Sequence, residues 1–473
     1  MNAKFDVNTN KQSVMALLSQ LGDEFIAIKN PDYIYSRYDI CPLAPKITTN
    51  QDRLVAVVQD MDGTTTTTEN LCLHSLETMV RQFSGRMTTQ QWAGLDRDAD
   101  YPHIIGNSTT KHVEYLVRTY QSRFDVNHFR HAYLKAALLT LKQGRDATRK
   151  REVMQTLSHF SCGDIVREME IGRWLQDASG DAEFFDADEI RALVQRYTER
   201  IRFGSEIDQV RAAIDVYYQR YHEILAKIAG GQADDLKGLL PDENMNLIEP
   251  MPGVAVFLAT IKGWLGDDLD RFSQHLTDAL RTNPHVTAAE SRLAEGRQQL
   301  KRIGGYFQAH PLKIAIVTSS IAYEAEIVLA EVFKMIRRQV SDWDVRPEKK
   351  AFLLQAFENP GQVFDAIITA SDSSEIRLKP HRDLYSLALH QLGIPAADYN
   401  KVIGFEDSES GLIAIRAAGI GLCVAVPFAD TQGHDLSHAS HILKGGLPEA
   451  LLLHQAFLSD AALAEVNGAA RPS

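Results

Sequence analysis

The chain has 473 residues, long for one domain, so two or more are expected. With 44% hydrophobic and 24% charged residues it has the make-up of an ordinary globular protein. A formal net charge of -12 argues against a nucleic-acid binder, which needs a basic face, but leaves a small phosphorylated ligand open. Cys41, Cys72, Cys162 and Cys423 are scattered without a C-x-x-C pair, so free thiols are expected rather than zinc or a redox motif. No apolar signal core and no membrane-spanning run is evident, which makes a cytoplasmic protein without membrane partners the expectation.

Residues 1 to 50 mix a short amphipathic run, Val14 to Leu18, with polar and Pro-containing stretches, and read as an N-terminal extension of undetermined role. Leu54 to Val58 is an apolar, largely β-branched run ending in Asp60, Asp62 and Gly63, the pattern of a buried parallel strand stopped by a turn. On an extended backbone Asp60 and Asp62 leave on one face, where each raises the other's pKa. A divalent cation or a shared proton would relieve that cost. An Asp-rich turn without chemistry is the plainer reading of this stretch alone.

From 71 to 248 the pattern is helical, as in Leu71, Leu73, Leu76, Met79 and Val80. So long a stretch is no loop and is expected to be an inserted, mainly helical domain. Glu249 to Val254 brings the chain back, followed by a helix through Phe257 to Ile261. Extra charged segments span about 264–310 and 336–360. Between and after them come strands at Ile314–Val317, Phe364–Ile368, Val402–Phe405, Gly421–Val426 and Ser440–Leu443. Helices are expected from Lys379-Pro380 through Leu389 and from Gly411 to Ala418. Strands alternating with helices predict an α/β fold, a doubly wound parallel sheet built from 51–70 and 249–473.

Four stretches, in order, resemble the motifs of the haloacid dehalogenase-like (HAD) superfamily. They are Asp60-Met61-Asp62-Gly63-Thr64, Ile314 to Thr318 with Ser319 and Ser320, Lys379-Pro380, and Val402 to Phe405 with Glu406 and Asp407. Seen singly, the Thr-Ser-Ser run is an N-cap, Lys379 a surface lysine and Glu406-Asp407-Ser408 a solvated cap. Together they resemble a C1-capped HAD phosphatase or β-phosphoglucomutase-like enzyme with a Rossmannoid core.

That resemblance implies a Mg²⁺-dependent phosphatase of a small phosphorylated metabolite, acting through an aspartyl-phosphate. It makes Asp60 the nucleophile and Asp62 the general acid and base, a role that needs a pKa above the ordinary value of about 3.9. Lys379 pairs with Asp60, and Thr318 and Ser319 with the phosphate. Gly63 lets the backbone pass close beneath the phosphate, with Thr64 bonding nearby. The metal set is Asp60, the main-chain carbonyl of Asp62, and Asp407, with Glu406 beside them directly or through a water. Dehalogenases lack the second Asp, so Asp62 favours phosphate esters. Many C1-capped mutases carry a His where Cys72 stands, which makes a sugar phosphomutase the second choice. A HAD-fold binding or assembly protein is the third.

The resemblance also makes 71–248 a cap supplying specificity. Its loop Gly106 to His112 nominates Lys111 as a substrate contact, against a helix start capped by Ser108. His128 and His131 read as helix surface, Arg149-Lys150-Arg151 as a solvated basic face, and Trp92, Trp264 and Trp343 as packing residues.

Overall fold

The computed structural model describes residues 11–30, 36–105, 109–176, 188–232, 236, 246–282, 286, 288–374, 377–427 and 434–468. The chain separates into two compact units, one of 1–65, 250–321 and 333–473, the other of 66–249 and 322–332. The first boundary falls about five residues before the expected one, and nothing in the sequence marked 322–332 as belonging with the helical insert.

The first unit is built on a six-stranded sheet. Its members follow the N-terminal strands β1 (Phe25–Lys29) and β2 (Tyr38–Pro42). They are β3 (Ala56–Asp60), β4 (Lys313–Val317), β5 (Ala366–Ile368), β6 (Val402–Glu406), β7 (Leu422–Ala425) and β8 (His441–Ile442). The order is β8-β7-β6-β3-β4-β5 and every pairing is parallel. The fold is therefore the α/β doubly wound sheet expected. β3, β6 and β7 are buried along their whole length, which is why they read as unbroken apolar runs. Ala56 pairs with Lys313 and with Val402, and this register brings the ends of β4 and β6 to either side of Asp60. In an open parallel sheet these carboxyl ends are where ligands bind.

Two local readings change. β3 runs to Asp60 and stops, so Asp62 lies beyond the strand and the alternation that put both carboxylates on one face does not reach it. Lys379-Pro380 does not open a helix: it is a cis peptide in a turn, and the helix begins at Asp383. The N-terminal extension contains a helix, Lys11–Gln20, and an antiparallel pair, β1 with β2. Ile26, Cys41 and Leu43 pack on Ile413 and Ala417 of the helix Glu409–Ala417.

In the second unit the long helix Glu206–Ala229 packs against Glu69–Ser84, Thr109–Tyr120 and Val126–Gln143. Phe83 stacks on Phe129 at 3.8 Å between ring centres, and Phe124 and Phe203 close round the pair. His222 on the long helix bonds Glu324 at 2.7 Å, which joins 322–332 to this unit. Arg149 is not on a solvated face: it is buried, paired with Asp215 and Glu152, with Tyr218 against its guanidinium. Three basic residues in a row concealed this, because on a helix successive side chains point in different directions. Arg151 is exposed as expected. Trp92 and Trp343 are buried, and Trp264 meets Phe352 and Phe357 edge-on. His128 and His131 are exposed. All four cysteines are free. Among the described residues no helix is long and apolar enough to cross a membrane.

Candidate active site

The four motifs meet at the ends of β3, β4 and β6. The Lys379 ammonium donates to Asp60 Oδ1 and, at 2.6 Å, to Glu406 Oε1. All three side chains are nearly or wholly buried, with 7% of Lys379, 9% of Asp60 and none of Glu406 exposed. So little water leaves the lysine as the counter-charge for two carboxylates. Tyr385, on the helix Asp383–Gln391, donates to the same Glu406 oxygen at 3.1 Å, and the ammonium lies 5.4 Å from the centre of its ring. The other Glu406 oxygen accepts from the Ser408 N–H and hydroxyl, each at 2.9 Å.

These contacts sort the protonation states. Burial works against the charge on Glu406, but Lys379 and the Ser408 donors outweigh it and hold the carboxyl below its usual range. Burial, Glu406 and Asp62 push Asp60 well above the usual carboxylate range, with Lys379 pulling the other way. Burial also opposes the Lys379 charge, and the two carboxylates overcome it and raise the ammonium above the ordinary lysine value. Of the two carboxyls, Asp60 is thus the one that more readily takes a proton.

Carboxylate oxygens of Asp60, Glu406 and Asp407 lie within 4.8 Å of one another, and all three are buried. Three hard oxygen donors with net negative charge fit Mg²⁺. Gly63 shows how tightly the loop is drawn: its φ is +75°, and a Cβ there would sit 2.3 Å from Asp407 Oδ2. Gly411 is under the same constraint, since a Cβ would fall 1.7 Å from Glu406 Oε1.

Asp62 sits apart from that carboxylate group. Its Oδ2 accepts from Thr318 Oγ1 at 3.1 Å and from Ser320 Oγ at 3.4 Å, while Thr318 Oγ1 itself accepts from the Ser320 N–H at 2.9 Å. Thr318 therefore holds Asp62, and Ser319, the neighbour expected to bind substrate, is exposed. The Thr64 hydroxyl is buried and has no hydrogen-bond partner among the described residues. Thr65 does the local work instead, donating to the Asp60 carbonyl at 2.6 Å and accepting from Gln59 at 2.7 Å. Tyr385, Ser320, Ser408 and Thr65 were not anticipated. Ser320, Ser408 and Thr65, next to motif residues, carried a signal in the sequence, and Tyr385 carried none. In the helical unit Lys111 is exposed on Thr109–Tyr120, and the Ser108 cap falls outside the described residues. The Cys72 thiol lies 3.9 Å from His112 Nδ1 and accepts from the Tyr217 hydroxyl at 3.5 Å.

No protein-family model matches the chain. Over 171 residues it is 28% identical to Protein CbbY of Rhodobacter capsulatus, covering 34% of this chain and 73% of that one. This match and the four motifs make the chain similar to HAD-like enzymes of the phosphatase and phosphomutase kind. Among solved structures, CbbY of Rhodobacter sphaeroides in complex with phosphate aligns over 84% of this chain and 96% of its own, at 16% identity and a TM-score of 0.36. The D10N mutant of that protein, in complex with xylulose-(1,5)bisphosphate, aligns over 84% and 99% at 15% identity and 0.37. β-Phosphoglucomutase of Clostridium difficile aligns over 88% and 98% at 12% and 0.30. The likeness rests on the sequence match and on four HAD-like motifs converging on one group of strand ends.

Proposed function

We propose that the protein is a Mg²⁺-dependent phosphatase that hydrolyses a small phosphorylated metabolite through an aspartyl-phosphate on Asp60. The observation that carries this is the buried group of Asp60, Lys379, Glu406 and Asp407, beside an Asp62 held by two hydroxyls. Asp60 is the nucleophile: its carboxylate attacks phosphorus, the P–O bond to the leaving alcohol breaks, and Asp62 gives that oxygen its proton. Asp62 then takes a proton from the water that attacks the aspartyl-phosphate, releasing phosphate and restoring Asp60.

Mg²⁺ would be held by the Asp60 and Asp407 carboxylates and the Asp62 carbonyl, with Glu406 beside them, and would neutralise charge on the phosphoryl oxygens. Both Glu406 oxygens already accept from Lys379, Tyr385 and Ser408, which favours the supporting role for this residue. Lys379 carries positive charge to the phosphoryl group, and Thr318 and Ser320 orient Asp62. Choice of the alcohol is assigned to the helical unit, Lys111 included.

The test is phosphate release from a panel of phosphorylated metabolites, with Mg²⁺ and with chelator, wild type beside Asp60→Asn. Sugar mono- and bisphosphates head the panel, because a CbbY protein binds xylulose 1,5-bisphosphate. Metal-dependent release abolished by Asp60→Asn is the expected result. Full release by Asp60→Asn refutes the assignment.

A further inference from the structure

The N-terminal extension reaches the active-site loops through two buried or half-buried ion pairs. On the lysine side, Arg377 stands two residues before Lys379. Its Nε and Nη2 donate to the two oxygens of Asp383, both at 2.8 Å, and its Nη1 donates to Asp39 Oδ2 on β2 at 3.0 Å. The second Asp39 oxygen accepts from the buried Asn30 amide at 3.3 Å, so Asp39 is itself fixed. On the acidic side, Arg416 lies on the helix that follows Glu406-Asp407-Ser408 and is fully buried. It donates to Glu24 Oε2 at 2.8 Å and twice to the Ala44 carbonyl, at 2.9 and 2.7 Å. The Ala44 N–H donates back to the Arg416 carbonyl at 3.0 Å. The two strands and the residues that flank them thus grip both the turn bearing Lys379 and the helix behind Asp407.

We propose that β1 and β2 brace the catalytic centre, and that Asp39 is a positioning residue that sets Lys379 through Arg377. This rests on the reading of Lys379 as the active-site lysine. A guanidinium that bridges Asp383 and Asp39 is held at both ends by three N–H donations to carboxylate oxygens. With Asp39 neutral it keeps only the Asp383 end, and the turn between Arg377 and the helix at Asp383 can shift. Lys379 has to reach two carboxylates at once, and a displacement of 1 Å at such a group costs up to about a hundredfold in rate. The Asp39 pair is half-exposed, so its loss leaves the core packing in place.

The experiment compares Asp39→Asn and Asp39→Glu with wild type on the best substrate of the panel, beside Asp60→Asn as control. A second readout is the rate at which an amine-reactive ester labels Lys379, followed by peptide mass spectrometry. For Asp39→Asn we expect kcat to fall about tenfold with KM and melting temperature unchanged. Lys379 should label several times faster, other lysines at the wild-type rate, and Asp39→Glu should restore both values toward wild type. Unchanged labelling of Lys379 in Asp39→Asn overturns the brace, as does a kcat equal to wild type. If Asp60→Asn proves fully active the phosphatase reading falls, and the labelling rate still decides the brace.

Discussion

Replacing Lys379 by Met keeps the length of the side chain and removes its charge. In the wild type that charge lies between Asp60 and Glu406, which are 9% and 0% exposed. The variant leaves two buried carboxylates with Tyr385 and Ser408 as their remaining donors at Glu406. Removing one partner of a buried pair costs about 3–5 kcal/mol, a large share of a total stability of roughly 5–15 kcal/mol.

The sign with pH follows from the shifts. Wild-type Glu406 is held below its usual value of 4.5, so its contribution is present above that pH and fades as pH falls below it. In Lys379→Met burial and the neighbouring carboxylate are opposed only by the Ser408 and Tyr385 donors, the folded-state value rises, and stability is lost as pH rises. The difference between the proteins should therefore be largest near pH 8 and shrink toward pH 5, where Asp60 and Glu406 can share protons. Urea unfolding in chelator at both pH values measures it. Equal stability at pH 8, or one unchanging gap at the two values, refutes the electrostatic account of this group.

Gly63→Ala places a methyl where Asp407 Oδ2 now sits at 2.3 Å and forces a left-handed φ on alanine, a strain of about 1 kcal/mol before Asp407 moves. Mg²⁺ titrated calorimetrically should bind at least tenfold more weakly, and wild-type affinity would show that Asp407 does not take part. In the helical unit, His74 is driven down to about 4 by burial and by Arg220 and Arg81. Arg220 donates to its Nε2 at 3.2 Å, which requires the neutral ring. A depressed histidine supports the fold above about pH 6.5 and loses that support as pH falls to about 4, up to roughly 3 kcal/mol. His74→Gln should flatten the pH dependence of unfolding across that interval, and an unaltered slope would remove His74 as its source.

What the sequence revealed follows from where each residue gets its constraint. Asp60, Glu406 and Asp407 are fixed by strand ends, and strand ends show in the chain as apolar runs stopped by polar residues. Gly63 was legible for the same reason, whereas Lys379 sits in a turn and was legible only as part of a motif. The direction of Asp62 was not, because it depends on how far β3 extends and on Thr318, which is 256 positions away. Tyr385 resembled any core tyrosine, since its role comes from the helix register that aims it at Glu406. Arg149 misled through its neighbours: its partner, Asp215, lies 66 residues on. The N-terminal strands were missed because a half-exposed two-stranded pair has little apolar pattern, and its purpose appears only once Arg377 and Arg416 are seen to hold it.

The central claim is that Asp60 carries the phosphoryl group. It is tested most directly by mixing the protein with Mg²⁺ and a turned-over substrate, quenching in acid during turnover, and mapping phosphorylated peptides by mass spectrometry. The account predicts one phosphoryl group on the peptide bearing Asp60, absent from Asp60→Asn and from chelator-treated protein. Turnover with that peptide unmodified, or with the phosphoryl group on another side chain, would contradict it.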